Sequence, residues 1–289
     1  MFTAPVALPA QAPHELLIAV LDRSGTPVLD LAPSDFSIVQ GAAELDVLSA
    51  EVDLAAAAAP MKVALLVDDA MPGRLLTPLR TGLEAFLKAL PPLHEVSLIT
   101  IGGDIGPMVQ RRTGFTADRE ALREAVGFVF PTRPGGSGGV ALASGIRNAW
   151  ERFEDDDPFP VFVVVLRDTA ERSEGFRRRN AYLDLANELA GRGVPLHAVL
   201  LSGLGGRAGN LAHMLADYLG GVSERVLVPT GLGAALERVA ARLVAYHDRV
   251  SMRYRVSYLP SASEDGPLTI RAKRLGVELH LLAPRLTAR

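Results

Sequence analysis

The feature that most constrains this chain is an alternation. Between residues 61 and 248, short β-rich apolar runs take turns with longer stretches of helical periodicity. The runs are KVALLVD (62–68), EVSLITI (95–101), PVFVVVLRD (160–168), PLHAVLLS (195–202) and RVLVP (225–229). The helical stretches span 75–90, 118–126, 140–153, 177–191, 207–219 and 231–247. The central runs are apolar at nearly every position instead of every second one. A sheet covered by helices on both faces requires that pattern. Strand and helix in alternation, joined by right-handed crossovers, give a doubly wound α/β domain with a mostly parallel sheet.

The two ends of the chain read differently. LLIAVLD (16–22) closes in the turn Arg23–Pro27, and DFSIV (35–39) and ELDVLSAEVDL (44–54) approach period 2. Ala55 to Pro60 reads as a linker. After 248 come VSMRYRVSYL, PLTIRAK and GVELHLL, three more strand patterns. Each group alone makes a marginal sheet. The first strand and the last helix of a doubly wound domain start and finish on the same side. Segments 14–54 and 249–284 are therefore expected to join in one small antiparallel β module, attached to an α/β domain of 61–248. Its place is expected to be beneath that domain, opposite the ligand-prone loops at the carboxyl ends of the strands. Tyr254, Val256 and Tyr258 share a strand face, which is expected to form the module's core.

Composition removes several function classes. Lys+Arg is 30 against Asp+Glu 33, a net charge of -3, so there is no electrostatic footprint for nucleic acid. Cys is 0, which excludes a disulfide framework, a thiolate nucleophile and cysteine metal sites. No apolar run reaches the roughly 18 residues of a membrane span. Residues 1–13, MFTAPVALPAQAP, have no basic start and are interrupted by Pro5, Pro9 and Pro13, so they do not read as a signal peptide. They resemble the opening of a mature exported domain.

Chemistry is expected where strands end. LLVDDAMPG (65–73) places Asp68 and Asp69 at the carboxyl end of the first central strand. Arg167, Asp168 and Thr169 stand at the end of PVFVVVLRD, and between these runs lies the glycine-rich PGGSGGVALASGI (134–146) with Ser137 and Gly138. In this order the motifs resemble the von Willebrand factor A-type (VWFA) family in its bacterial VWFA-related form. KVALLVDDAM stands where the family has its first strand and Asp-x-Ser-x-Ser loop. GGSGGVALASGI is similar to Gly-Thr-x-Leu-x-x-Ala-Ile, and VFVVVLRDTAERS to the strand ending in Thr-Asp-Gly. LADYLGG (215–221) resembles Ala-x-x-Thr-Gly-Gly. VLDRSGTPVLDLAPSDFSIVQGAAELDV (20–47) and the segment from Arg253 to Pro284 resemble the family's N-terminal unit and Tyr-rich tail.

The resemblance implies a metal ion-dependent adhesion site. There Ser and Thr hydroxyls and Asp carboxylates hold Mg²⁺, which favours octahedral oxygen ligation, and a partner's carboxylate completes the shell. Carried over, Asp68 and Asp168 remain, but Ala70 and Pro72 stand at the two serine positions and Gly139 or Val140 at the threonine. The site therefore reads as degenerate: no cofactor is expected, and Asp68 and Asp168 become helix N-caps or loop anchors. The alternative is a rearranged cation site using oxygens of Asp69, Ser137 or Thr169. The implied function is a non-enzymatic protein–protein interaction module for adhesion or assembly. It would act through the loops 68–74, 102–108, 131–140 and 168–177, with Asp69, Ser137, Gly138, Arg167 and Thr169 as binding residues. The partner would be another protein, and the location extracytoplasmic, with the cytoplasm left open by the sequence.

Other motifs weigh less. Gly135–Gly139 matches G-x-S-x-G, but that motif needs a strand running into the turn, and Pro131 and Pro134 precede it. A small hydrolase or nucleotide-binding enzyme using this loop is the alternative function. Gly203–Gly206 follows a strand and precedes a helix without the full dinucleotide fingerprint. The six histidines form no metal-binding spacing, and His197 reads as a satisfied core residue. Arg177–Arg179, near Arg172, and Glu154–Asp157 read as solvated charge.

Overall fold

Strand β1 (His14–Asp22) is buried over six consecutive positions. After a 3-10 turn at Pro33–Asp35 come β2 (Phe36–Gln40), β3 (Ala43–Leu45) and β4 (Val47–Val52), then a short helix α1 (Leu54–Ala58). The second stretch holds β5 (Lys62–Val67), α2 (Gly73–Ala89), β6 (Glu95–Thr100), β7 (Gln110–Arg111), α3 (Arg119–Gly127), β8 (Gly139–Val140) and α4 (Leu142–Trp150). It continues with β9 (Pro160–Arg167), β10 (Ala170–Glu171), α5 (Arg179–Gly191), β11 (Leu196–Leu201), α6 (Arg207–Tyr218), β12 (Ser223–Val226) and α7 (Leu232–Ser251). Strands β13 (Arg253–Tyr258), β14 (Leu268–Ala272) and β15 (Val277–Leu282) close the chain. This computed structural model describes residues 12–69, 71–102, 109–130, 139–154, 157–167, 169–173, 179–201, 206–260 and 267–282.

Internal contacts divide the chain into two units, Met1–Ala59 with Asp248–Arg289, and Pro60–His247. The first is an antiparallel β unit built from both chain ends. One sheet has the order β15-β1-β13-β4, and a second has β14-β2-β3. Leu16, Ile18 and Val20 of β1 meet Phe36, Ile38 and Leu45 of the other sheet in a shared core with Tyr254, Val256 and Tyr258. The Tyr stripe is thus core. The Tyr254 hydroxyl accepts the Leu31 amide at 2.9 Å, and its ring meets Phe36 edge-on at 5.4 Å. Two expectations need correction here. The run 44–54 is not one strand: the chain leaves one sheet after Leu45 and enters the other at Val47. The Asp46 carbonyl at the break accepts the Leu259 amide instead. Nor is 55–60 a plain linker, because Asp53 caps α1 by accepting the Ala56 amide.

The second unit carries a six-stranded sheet, β12-β11-β9-β5-β6-β7, parallel except for β7. Burial is nearly complete along β5, β9 and β11, as a sheet between two helical layers demands. On one face Ala64, Leu66, Ile99, Phe162, Val164 and Ala198 pack with Ile146, Leu185, Leu189, Leu211 and Leu215 of α4, α5 and α6. Each large side chain so buried contributes roughly 1.5–3 kcal/mol. Helices α2 and α7 approach at Gly82, where an added Cβ would lie 3.1 Å from the Leu236 side chain. The expected strand 225–229 begins earlier, at Ser223, and ends at Val226. Gly220 turns with φ 70, and Gly221 then lies so near Leu196 that a Cβ would sit 1.8 Å from its carbonyl oxygen.

Helices α4 and α5 are joined by a polar clasp. Glu188 accepts from the Arg147 guanidinium and from the Trp150 indole, both at 2.6 Å. Arg192 stacks over the Trp150 ring at 4.9 Å. Glu188→Ala leaves the buried Trp150 indole N–H without its acceptor and is expected to cost about 1–2 kcal/mol. A lowered urea midpoint with unchanged slope would register the loss.

Candidate functional site

In an open α/β sheet the binding crevice lies at the carboxyl ends of strands where the winding reverses. Here β5 pairs with β6 on one side and β9 on the other, so the reversal falls between β5 and β9. Asp68 follows β5, and Arg167 ends β9.

The parallel register sets Val67 beside Val165, which brings Asp68 level with the end of β9. Asp68 has a relative exposure of 0%. Its Oδ2 accepts the Arg167 backbone N–H at 3.2 Å and lies 3.6 Å from Arg167 Nε. The expectation that Asp68 caps a helix is therefore corrected. The N-cap of α2 is Pro72, without a side-chain cap, and Asp68 instead bridges two strands.

Asp69, 7% exposed, turns the other way. Arg112 Nη2 approaches its Oδ2 at 3.5 Å, and Arg112 is itself fixed by its amide to the Leu98 carbonyl at 2.8 Å. Burial pushes the Asp69 carboxyl above the usual carboxylate range, against the Thr100 hydroxyl, Arg112 and the Gly102 amide, which pull it down.

A short lacing crosses the same end of the sheet. β8 and β10 pair in parallel, and Val140 bridges to Gly102. Helix α4 has Ala141 as N-cap, which offers no side-chain acceptor. Its first amides are taken from outside the helix: Leu142 N–H by Glu171 and Ser144 N–H by Ser173 Oγ, at 3.1 and 2.9 Å. Burial raises the Glu171 carboxyl, against the Ser173 and α4 amide bonds that lower it. Arg172 crosses Gly139 so closely that a Cβ there would meet its side chain. The Thr169 carbonyl accepts the Ala208 amide of α6 at 3.0 Å. Arg112, Glu171 and Ser173 were not singled out from the sequence, because nothing in their spacing links them to the Asp68 strand.

The described residues do not fit an octahedral Mg²⁺. Pro72 and Gly139 or Val140, at hydroxyl positions, have no side-chain oxygen, and neither does Ala70. Asp69 Oδ1 and Thr169 Oγ1 are buried without a hydrogen-bond partner. The Asp69 carboxylate faces Arg112, and the Thr169 backbone carbonyl is held by the Ala208 amide of α6. Among the described residues no group of three or more His, Cys, Asp or Glu is placed to hold a metal. Asp168, Ser137 and Gly138 lie outside the described residues, as do most of the loops 102–108, 131–140 and 168–177 and the 135–138 part of the G-x-S-x-G match.

Other sequence readings change as well. Asp157 is buried and paired with Lys62 at 2.6 Å, so it anchors the start of β5 rather than standing in solvent, whereas Glu154, 3.7 Å from Lys62, keeps its side chain 73% exposed as expected. His197 is buried, but only half satisfied: Nδ1 accepts the Val222 amide at 3.3 Å, while Nε2 has no partner. Among the described residues no helix is long and apolar enough to cross a membrane.

This sheet order, its switch-point crevice and the helices on both faces define a VWFA-like fold, the class the sequence motifs resemble. The chain is similar over 96% of its length to a von Willebrand factor type A protein from Catenulispora acidiphila, covering 73% of that chain at 12% identity and a TM-score of 0.54. It also matches BatB from Bacteroides thetaiotaomicron, with 64% of this chain and 98% of that one covered, 15% identity and a TM-score of 0.46. A third match is proximal thread matrix protein 1 from the mussel byssus, a structure with a zinc-occupied MIDAS motif, with 82% and 50% covered, 13% identity and a TM-score of 0.49. By sequence, no protein-family model and no curated protein matches the chain.

Proposed function

We propose that this protein is a non-enzymatic protein–protein interaction module, serving adhesion or assembly outside the cytoplasm, that binds its partner without a metal ion. The carrying observation is the Asp68–Arg167 contact: the carboxylate at the switch point already faces a guanidinium, within the fold. The VWFA-like fold supports an interaction role by class, and the motif order of the bacterial VWFA-related form supports an extracytoplasmic location. The partner surface is assigned to the loops around Asp69, Ser137, Gly138, Arg167 and Thr169, with Asp168 beside them.

The test is capture of partners by the purified chain in EDTA and in magnesium. Thr169→Arg would obstruct the crevice end, and Arg271→Glu on β14 would serve as the control. The expected result is the same bound protein in both buffers, lost with Thr169→Arg and kept with Arg271→Glu. Binding that appears only in magnesium, or that Thr169→Arg leaves intact, would sink the proposal.

A further inference from the structure

We infer that Arg167 is a built-in substitute for the ion: from within the fold its guanidinium neutralises the fully buried Asp68 carboxylate, as Arg112 does for Asp69 on the β6 side. This rests on the metal-free half of the function proposed above and names the residue responsible.

A carboxylate with no exposed surface is not left without a counter-charge, because desolvating a lone ion is too costly. Two consecutive carboxylates leave β5, and each faces its own guanidinium, Asp68 that of Arg167 and Asp69 that of Arg112. Among the described residues, the two carboxylates that leave β5 are thus each paired with a cation. A dication entering between β5 and β9 would meet the Arg167 guanidinium at short range, beside an Asp68 carboxylate that is already paired. Arg167 suits the task by position. It is the last residue of β9, so one residue supplies both a backbone N–H and a guanidinium to the same Asp68 oxygen. A guanidinium stays protonated at every pH the fold survives. Chelators cannot remove it, and ion concentration cannot set its occupancy.

The consequence is a crevice whose integrity depends on Arg167 and is indifferent to divalent ions. The experiment measures the melting temperature of the full chain as wild type, Arg167→Gln, Asp68→Asn and the double variant, each in EDTA and in millimolar magnesium or manganese. Wild type is expected to melt at one temperature in all buffers. Arg167→Gln is expected to fall by about 5 °C or more. The double variant is expected to lose less than the sum of the single losses, the signature of a coupled pair. If Arg167→Gln does not fold, recovery of folding in the double variant, or in Arg167→Lys, which keeps the charge, supports the same conclusion. Two results would overturn the inference, and they are distinguishable. A wild-type melting point raised by magnesium or manganese, and no longer so in Asp68→Asn, removes the metal-free reading as well. Additive single losses with no ion effect remove the role of Arg167 alone.

Discussion

Arg253→Met is expected to destabilise the β unit by about 3–5 kcal/mol, the range for breaking a buried ion pair from one side. Arg253 and Asp53 each keep only 6% of their side chain exposed, with Nε 3.2 Å from Oδ2. The same carboxylate caps α1 through the Ala56 amide, and the Asp53 amide donates to the Arg253 carbonyl at 2.8 Å. Arg255 stands 3.6 Å from Asp53, but nearly half of its side chain is exposed, and it also binds Glu15. Its charge is therefore screened and shared, too weak to replace Arg253. Removing Arg253 strands a charge inside the sheet; removing both charges does not. Asp53→Leu with Arg253→Met is expected to recover most of the loss, less about 1 kcal/mol for the missing cap. Calorimetry should show the single variant's β unit melting at least 10 °C lower, taking about 4–8 °C per kcal/mol for a unit of this size. Equal losses in the single and double variants would show that volume, and not charge, holds the site.

How much of this was legible in the sequence depends on the range of the interaction. The strands of the central sheet were readable because β5, β9 and β11 are apolar on both faces, which only a two-layer cover satisfies. The β unit was readable as strands, but the change of sheet at Asp46 was not. The pattern Leu45-Asp46-Val47 keeps period 2 straight through the break, so alternation carries no trace of it. The two-residue strands β7, β8 and β10 are too short to show any period. At the crevice, Asp68 and Asp69 were legible as acids at a strand end, and the missing hydroxyls at 70 and 72 were plain. Their pairing with arginines was not, although Arg167 itself stood out at the end of its strand. Arg167 lies 99 residues from Asp68, and only the parallel register of β5 and β9 sets them together. The Asp53–Arg253 pair spans 200 residues and has the same cause. Charge pairing across a sheet is written in topology, which local pattern does not encode.

The α/β unit is expected to lose several kcal/mol of stability as pH falls from 6.5 to 4, through two histidines that the fold holds neutral. Burial first, then the neighbouring His247 and Arg119, depress His94 to about 4. Burial first, then Arg242, depress His197 to about 4. Geometry agrees. His94 Nδ1 accepts the Met61 amide at 3.2 Å, and His197 Nδ1 accepts the Val222 amide at 3.3 Å. A proton on either nitrogen abolishes an acceptor and places two N–H groups face to face. The His94 ring also meets His247 at 4.7 Å and is only 1% exposed, so a cation there would be poorly solvated. Both folded values lie below the unfolded value of 6.5. Between those limits the unfolded chain binds more protons, so stability rises with pH. The contribution is complete above 6.5 and is lost on the way down to 4. Each imidazole accounts for up to about 3 kcal/mol. Asp69 and Glu171, both raised by burial, act in the opposite sense and offset part of the loss. His94→Asn with His197→Asn keeps an acceptor near each Nδ1 but removes the proton site. That double variant is expected to flatten the pH dependence of the urea midpoint between 6.5 and 4.5. If it falls as steeply as wild type, the acid sensitivity belongs to carboxylates and not to these rings.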